Sequence, residues 1–520
     1  MQKEITDLLT HKTWEPISRK DPKLKGRIPT KSRWVYTIKY NRDGSIERLK
    51  SRFVVCGYSQ RPGIDFDRAF SATLRATSFR TLMAVAAGES LSLEHFDVTN
   101  AFTQAPFDDD VDLFVEPPKG YEEWEIVDGQ KVSKLLHLKK ALYGTKQASR
   151  LWQETLRNFL VEDAMGFVQS KSDPCLFTLN SKHGKIIVGI YVDDIVVAHS
   201  RGKVFDDFKA AFLKRFRSKH IGSLNWFLGM SIDQDKDYSV HVGQESYVDK
   251  VAKRFLQSDA KSRVCPPTEL FAKLDKPKDD EECAKVQAKP YMSLVGALLY
   301  ASVMSRPDVA YHTSVLAKFM SDPSPECYNA AIQLLEYLAT TKARRLISYP
   351  GTISVPEGLK KAVHPNILDN HGFVAYSDSS WGNKYPYPMF GYSVYLFGGL
   401  ISFASKQLKV VAFSSCEAEY AAGAYCCKEM AFIRNICSDL GVELKGQLVL
   451  AIDNTAAIDV AHDVGVSGRT KHFNMAIHYI RDETQLRRVL PTFVHTNHQR
   501  ADGYTKSLDK ATFLKWIKFL

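Results

Sequence analysis

One stretch constrains the fold more than any other: residues 185–198, where two runs rich in isoleucine and valine flank a pair of acidic residues. Each run is β-branched and four to six residues long, which is typical of buried strands. Asp193 and Asp194 lie between the runs, and aspartate favours turns over strand interiors. We therefore predict a β-hairpin that is buried along both arms and carries two carboxylates at its tip. On this stretch alone, a merely polar turn explains the pair equally well.

The composition indicates a large intracellular protein with several domains. A chain of 520 residues exceeds one hydrophobic core, and about three or four domains are expected. No segment reaches the roughly 18 consecutive apolar residues that cross a membrane. Nine cysteines without a C-x-x-C pair favour a reducing compartment and argue against a zinc site.

The charge of the chain points to an acidic partner. The net charge is +11, and residues 1–60 hold 14 Lys/Arg against 6 Asp/Glu. Nucleic acid is the usual partner of such an excess. Arg48, Lys50 and Arg52 alternate along a predicted strand and share one face, which suits phosphates. A solvated hairpin face explains these three residues equally well.

A third acid extends the pair at the hairpin. Asp97 ends a predicted strand at residues 91–102, so Asp97, Asp193 and Asp194 all lie at strand ends. Three converging carboxylates repel one another unless a divalent cation lies between them, and hard oxygen ligands select Mg²⁺. Two such ions about 4 Å apart can activate a 3′-hydroxyl and stabilise a leaving pyrophosphate.

A second set of acids lies in the last third of the chain. Its members end or interrupt apolar segments, where a bare charge is costly, and they are Asp378, Glu419, Asp453 and Asp502. Taken singly, each is more often a surface residue or a helix cap. Glu417 and Glu419 stand roughly 200° apart around a helix, so only one of them can face a common site. The spacing alone leaves that choice open.

The remaining stretches complete the outline of the chain. Residues 1–32 are polar and basic and are expected to form an arm, whereas residues 260–290 are charged and are expected to form a linker. Further predicted elements are helices at 77–88 and about 150–164, a helix with Phe205, Phe208, Phe212 and Phe216 on one buried face, a helical block at 290–345 and a strand–helix–strand unit from 372 to about 510.

Several motifs in fixed order resemble one family. They are Trp34–Lys39 with Asp43–Arg48, Glu116–Tyr121, Ala141–Gln147, Tyr191–Asp194, Arg306–Tyr311, Ser414–Tyr420 and Arg469–His472. Over essentially its whole length the chain resembles the reverse transcriptase–ribonuclease H portion of a Ty1/copia-type retrotransposon polyprotein. Tyr-x-Asp-Asp alone is a weak motif, but the ordered set is specific.

The resemblance implies an α+β multidomain fold. A right-hand polymerase with fingers, palm and thumb is followed by a helical connection and an α/β ribonuclease H-like domain. The implied division is a basic arm at 1–27, reverse transcriptase at 28–260, a linker at 261–289, the connection at 290–365 and the ribonuclease H-like domain at 366–510.

The resemblance also assigns roles to individual residues. Asp97, Asp193 and Asp194 would be the polymerase carboxylates. Asp378, Glu419, Asp453 and Asp502 would be the ribonuclease H metal ligands, with Glu419 favoured over Glu417. The residues that would contact the incoming nucleotide are Lys50, Arg52, Phe102 (which excludes a 2′-hydroxyl), Tyr143 and Gly144. The residues that would hold the primer end are Leu228, Gly229 and Met230.

The implied function is RNA-directed and DNA-directed DNA synthesis with degradation of the RNA strand of the hybrid. The implied cofactor is Mg²⁺, with Mn²⁺ as an alternative, at two ions per active site. The implied partners are an RNA template, a DNA primer, RNA–DNA hybrid, dNTPs and other parts of the polyprotein (capsid, protease and integrase), without a membrane. The implied location is cytoplasmic virus-like particles, with the nucleus as an alternative.

Departures from the family motifs keep a second reading open. Thr145 and Ser149 replace the usual leucine and proline, and the closing motif ends Gly503-Tyr504-Thr505-Lys506-Ser507. An inactive relic that only binds nucleic acid is the alternative to an active enzyme, although no expected metal ligand is lost.

Overall fold

A computed structural model describes residues 1–40, 46–108, 111–162, 165–271, 273–287, 289–381, 387–409, 411–463 and 478–520. The expected turn at Asn41–Gly44 and the motif Arg469–His472 lie outside these residues.

The helices of the described residues are, in chain order, α1 (Gln2–Thr10), α2 (Ala76–Gly88), α3 (Ala148–Arg157), α4 (Lys203–Arg215), α5 (Glu245–Phe255), α6 (Thr268–Phe271), α7 (Asp280–Gln287), α8 (Tyr291–Met304), α9 (Ala310–Ala317), α10 (Pro325–Thr340), α11 (His364–Leu368), α12 (Ser415–Asp439), α13 (Thr455–His462), α14 (Tyr479–Gln485) and α15 (Lys510–Trp516). None of the described helices is long and apolar enough to span a membrane.

The strands are β1 (Trp14–Ile17), β2 (Ser32–Tyr40), β3 (Ile46–Val55), β4 (Ser92–Val98), β5 (Phe114–Val115), β6 (Trp124–Val127), β7 (Gln130–Ser133), β8 (Leu135–Leu138), β9 (Val168–Gln169), β10 (Leu176–Ser181), β11 (Gly184–Tyr191), β12 (Asp194–His199), β13 (Ser218–Ser223), β14 (Trp226–Phe227), β15 (Met230–Gln234), β16 (Val240–Gly243), β17 (Ile347–Tyr349), β18 (Val374–Ser380), β19 (Met389–Leu396), β20 (Gly399–Gln407), β21 (Leu448–Ile452) and β22 (Val489–Phe493).

A six-stranded antiparallel sheet in the order β13-β4-β12-β11-β10-β9 carries the predicted hairpin. Strands β11 and β12 pair from Ile186↔His199 to Tyr191↔Asp194, which confirms the hairpin and its buried arms. Behind the sheet, α4 buries Phe205, Phe208 and Phe212 as its sequence pattern predicts. This sheet positions the first set of acids.

The first residues of the chain are folded, so the expected arm is wrong for them. Helix α1 and strand β1 bury Ile5, Leu8 and Trp14 in the same core as Phe53 of β3. The segment was interpreted from its basic composition, but it contains a short amphipathic helix. The buried apolar residues of this helix, Ile5 and Leu8, are three positions apart and share one face.

The expected linker also packs onto the core. Within residues 260–290, α6 and α7 contribute Phe271 and Val286 to the core of the helical block, and Leu274 lies between them. A few apolar residues among many charges are enough to seat this segment against α10. The charges of these two helices therefore lie on the solvent side of a packed segment.

The helical block contains α5 and α8 to α10, and a buried ion pair lies inside it. Arg306 donates to Asp308, the hydroxyl of Tyr337 also bonds to Asp308, and all three side chains are buried. The Arg306–Tyr311 motif therefore has a structural role here.

The C-terminal unit is a five-stranded sheet in the order β20-β19-β18-β21-β22, in which β18, β21 and β22 run parallel. The long helix α12 packs against β18. One face of this sheet shares a core with α2, and the other shares a core with the helical block. The unit therefore packs directly on the rest of the chain.

Candidate active site

The first three acids converge at one edge of the six-stranded sheet. Asp97 of β4 lies directly opposite Asp194 of β12 in the antiparallel register, so their side chains share a face. Asp193 precedes Asp194 in the connecting turn, and its carbonyl accepts a hydrogen bond from Val98 N at 3.0 Å. The structure thus brings together three carboxylates from two separate segments.

The turn differs in one detail from the prediction. The residues that make it are Val192 and Asp193, whereas Asp194 already pairs with Tyr191. Val192 has φ 58°, a left-handed conformation that a β-branched residue rarely adopts. The buried indole of Trp152 on α3 donates to Val192 O at 2.6 Å and holds the turn from beneath.

The electrostatics of this centre favour a cation. Although Asp193 as a whole is exposed, desolvation of its carboxyl raises its pKa, and the neighbouring Asp194 and Asp97 raise it further. His95 Nε2 lies 3.0 Å from Asp194 Oδ1. The oxygens of these three acids do not all lie within 4.8 Å of one another, so a divalent cation that relieved their mutual repulsion would have to draw them closer together.

Three predicted nucleotide-contacting residues form one wall beside these acids. The guanidinium of Arg52 lies 5.4 Å from the ring centre of Tyr143, and that ring meets Phe102 edge-on at 5.2 Å. Burial raises the pKa of Tyr143 to about 12, with Arg52 opposing the shift and Asp193 adding to it. The buried Arg52 Nε donates to no other described residue, so the guanidinium retains donor capacity.

Gly144 supports this wall through its backbone. Its φ is +91°, and a Cβ there would lie 2.1 Å from Val55 O. Val55 N donates to Tyr143 O at 2.8 Å, so the loop that carries Tyr143 docks directly on the end of β3. Only glycine permits this close approach.

Lys50 and Arg52 have an acidic neighbour that the sequence analysis missed. Burial raises the pKa of Glu4 on α1, and the hydrogen bond from Phe53 N and the charges of Lys50 and Arg52 oppose that shift. Arg48, the third residue of the predicted stripe, is exposed. An acid at the start of the chain was not expected at a phosphate site.

The predicted primer-holding residues form a tight hairpin near the same edge. Leu228 and Gly229 have positive φ between β14 and β15. The adjacent Phe227 contacts Tyr191 and His95 at ring distances of 6.4 and 6.5 Å. His95 and Asp97 are two residues apart in β4, so their side chains lie on the same face. The hairpin therefore packs on the face that carries the acids.

The second set of acids forms a tighter centre. Within the described residues, Asp378, Glu419 and Asp453 form the one group of three whose ligand atoms all lie within 4.8 Å of one another. Val374 pairs with Val449 in the parallel register, and the same offset places Asp378 of β18 level with Asp453 beyond β21. Helix α12 adds Glu419 across the strand ends.

The structure separates Glu419 from Glu417. Glu419 Oε1 accepts hydrogen bonds from Ser379 N and Ser379 Oγ, both at 3.0 Å, beside Asp378. Glu417 instead accepts from Phe413 N at 2.8 Å, while its own amide bonds to Ser414 Oγ at 3.2 Å. Glu417 therefore stabilises the start of α12, as an acid in the first turn does.

Burial and mutual repulsion raise the pKa of two acids in this centre. Desolvation, followed by the charge of Asp502, raises the pKa of Asp378 to about 8. Desolvation and the charges of Asp378 and Asp453 raise the pKa of Glu419 well above its usual range. Among the described residues, none forms a hydrogen bond with the buried Glu419 Oε2. These features fit a bound divalent cation, whose charge would neutralise the carboxylates.

Asp502 lies at the margin of the group. Its Oδ1 accepts a hydrogen bond from Lys506 Nζ at 2.9 Å, and Thr505 Oγ1 donates to Asp378 Oδ2. Sequence reasoning missed Ser379, Thr505 and Lys506, although each stands within four residues of a predicted ligand.

Comparison with known proteins identifies the family. Residues 11–269 match the family described as reverse transcriptase (RNA-dependent DNA polymerase). Over 518 residues, 99% of the chain, it is 32% identical to the retrovirus-related Pol polyprotein from transposon TNT 1-94 of Nicotiana tabacum, of which it covers 37%. The chain belongs to the Ty1/copia-type Pol polyproteins. It is also 24% identical over 540 residues to the transposon TyH3 Gag-Pol polyprotein of Saccharomyces cerevisiae, covering 99% of this chain and 28% of that protein.

The chain spans about a third of the length of the Pol polyproteins that it matches. Among solved structures, a prototype foamy virus protease-reverse transcriptase aligns with 98% of this chain and 54% of its own at 14% identity and a TM-score of 0.25. The assignment to this family rests on the sequence matches, which place a reverse transcriptase domain at 11–269.

Proposed function

We propose that the chain is an RNA-directed and DNA-directed DNA polymerase whose centre is Asp97, Asp193 and Asp194. One observation carries the proposal: Asp97 and Asp194 face each other across two strands, and Asp193 occupies the adjoining turn. The reverse transcriptase match over this region supports it.

Each residue of the proposed centre has a role in the reaction. Arg52 and Lys50 bind the triphosphate, and the Phe102 ring closes the space beside the sugar. The hairpin Leu228–Met230 holds the primer end near the acids. The three carboxylates would hold divalent ions, of which Mg²⁺ is the hard cation that such oxygens prefer. When bound, these ions would supply charge that activates the 3′-hydroxyl and stabilises the pyrophosphate.

We infer a second activity at Asp378, Glu419 and Asp453, with Asp502 at the margin. The mixed five-stranded sheet with α12 across it is the arrangement expected of a ribonuclease H-like domain, and the close carboxylates suit metal-assisted phosphodiester hydrolysis. The substrate is the RNA strand of an RNA–DNA hybrid, held by its backbone and shape.

The wider setting is proposed from the polyprotein relatives. The chain copies retrotransposon RNA beside other parts of a longer polyprotein, in virus-like particles. The proposed reverse transcriptase unit is 28–260, the helical connection 290–365 and the ribonuclease H-like unit 366–510, although α15 continues the last unit to Trp516.

Primer extension on poly(rA)/oligo(dT) with Mg²⁺ tests the polymerase. Asp193→Asn is expected to lower incorporation roughly 100-fold or more, because it removes a charged metal ligand. Asp206→Asn, an exposed aspartate on α4, is the matched control and should retain activity. Incorporation that survives Asp193→Asn, or that is absent from the parent protein, overturns the assignment.

Cleavage of hybrid RNA labelled at one end tests the nuclease. Asp453→Asn should abolish cleavage, whereas Asp459→Asn, an exposed acid on the neighbouring helix, should not. Cleavage that persists in Asp453→Asn refutes the ligand assignment.

A further inference from the structure

The proposed nuclease centre contains a lysine that lies among its acids. Lys506 Nζ is 2.9 Å from Asp502 Oδ1, with the Lys506 side chain 44% exposed and that of Asp502 only 13% exposed. The same ammonium interacts electrostatically with Asp378 and Asp453. One ammonium group therefore acts on three of the four acids.

The four acids do not form a symmetric site. Asp378, Glu419 and Asp453 bring their oxygens within 4.8 Å of one another, and Asp502 is outside that group. Asp378 belongs to both halves, because Asp502 is the charged residue that raises its pKa most. One half thus holds three carboxylates, with Glu419 Oε2 unpartnered among the residues that the structure describes. The other half holds Asp378, Asp502 and an ammonium group.

We propose that Lys506 acts as a built-in cation in the second half of this centre, so that the centre binds one divalent ion firmly and resists a second. The inference rests on the proposed nuclease function and revises its two-ion expectation. Lys506 is a positioning residue that acts through Asp502. Its charge opposes a second ion between Asp378 and Asp502, since like charges a few ångströms apart repel strongly outside bulk water.

The partial exposure of Lys506 limits the cost of this arrangement. A lysine side chain is flexible, and its head can leave toward solvent without breaking the core. Asp502 itself is held by a short helical turn, in which Thr505 N bonds to Asp502 O at 3.1 Å. Removing the ammonium therefore exposes an ordered carboxylate.

The inference can be tested without turnover by titrating the full chain with Mn²⁺. Calorimetry and the electron paramagnetic resonance of free Mn²⁺ report the number of bound ions and their affinity. The parent protein for this titration carries Asp193→Asn and Asp194→Asn, which remove metal binding at the polymerase centre. We expect one bound ion in this parent. Lys506→Met should add a second ion and tighten the first about tenfold, since a unit charge nearby is lost. Lys506→Arg, which keeps the charge, should resemble the parent.

The controls separate this inference from the proposed function. Lys285→Met removes a lysine from an equally spaced pair with Glu281, also 2.9 Å apart, and should change nothing. Adding Asp502→Asn to Lys506→Met should abolish the second ion. Equal stoichiometry and affinity with and without Lys506 overturn the inference alone. If Asp378→Asn does not reduce the number of bound ions, the nuclease centre is overturned and the inference with it.

Discussion

At the scale of single residues, Phe102 is expected to decide which sugar enters the polymerase centre. Its ring packs against Tyr143, beside Arg52, and both of these residues are proposed to contact the incoming nucleotide. Phe102→Val should raise incorporation of ribonucleotides relative to deoxynucleotides by roughly 100-fold, because a smaller side chain admits the 2′-hydroxyl. Competition between rATP and dATP on one template measures the ratio, and Phe70→Val, at an exposed position, should leave it unchanged. A ratio unaffected by Phe102→Val would refute the role.

Asp378 should make the metal-free protein less stable as the pH rises. Its pKa is raised to about 8 by desolvation and Asp502, whereas an unfolded aspartate has a pKa of about 3.9. Between these values the folded state binds more protons than the unfolded state, so stability falls with pH. In EDTA, Tm should decline from pH 5 to pH 8, and Asp378→Asn should flatten that decline. A slope equal in both proteins would contradict the assignment.

Some residues of the two centres could be predicted from sequence and others could not. Asp97, Asp193 and Asp194 stand at strand ends, and the alternation of strands is enough to bring such residues to one edge. Glu419 was favoured over Glu417 only by resemblance, since helical spacing cannot say which side faces a sheet. Trp152 was missed because its partner, Val192, is set by tertiary packing. Lys506 was missed although it stands only four residues after its partner, Asp502.

At the scale of elements, the β11–β12 turn depends on α3. The Trp152 indole donates to Val192 O, the residue with the left-handed backbone. Trp152→Phe keeps an aromatic ring but removes the donor to a partly buried carbonyl, and an unsatisfied carbonyl costs up to about 1–3 kcal/mol where it is fully buried. We expect roughly tenfold lower kcat in primer extension with little change in KM for dNTP. Trp124→Phe, at an exposed position, is the control. Full activity in Trp152→Phe would show that the turn holds without α3.

Two elements escaped prediction for one physical reason. Helices α1 and α7 consist largely of polar and charged residues, and only a few apolar side chains (Ile5 and Leu8 in the first, Val286 in the second) are buried. Composition weighs every residue equally, whereas packing depends on the few that face a core. Long apolar or periodic elements such as β11, β12 and α4 were therefore placed well.

At the scale of the whole molecule, α2 joins the two units for which catalysis is proposed. Thr77 Oγ1 donates to Glu429 of α12 at 3.0 Å, and a Cβ at Gly88 would lie 2.2 Å from the Phe397 ring. We expect calorimetry to show the two units unfolding in one transition. Gly88→Ala should lower its Tm, because overpacking costs roughly 1–3 kcal/mol. Ala69→Ser, at a loop position, should not. Two separate transitions in the parent protein would contradict a shared core.

The most direct test of the account follows both strands of one hybrid in one reaction. The substrate is a DNA primer on an RNA template, with a different label on each strand, and the proteins are the parent, Asp193→Asn and Asp453→Asn. We expect Asp193→Asn to stop primer extension and leave RNA cleavage, and Asp453→Asn to do the reverse. Loss of both activities in either variant, or of neither, would contradict two separate carboxylate centres on one chain.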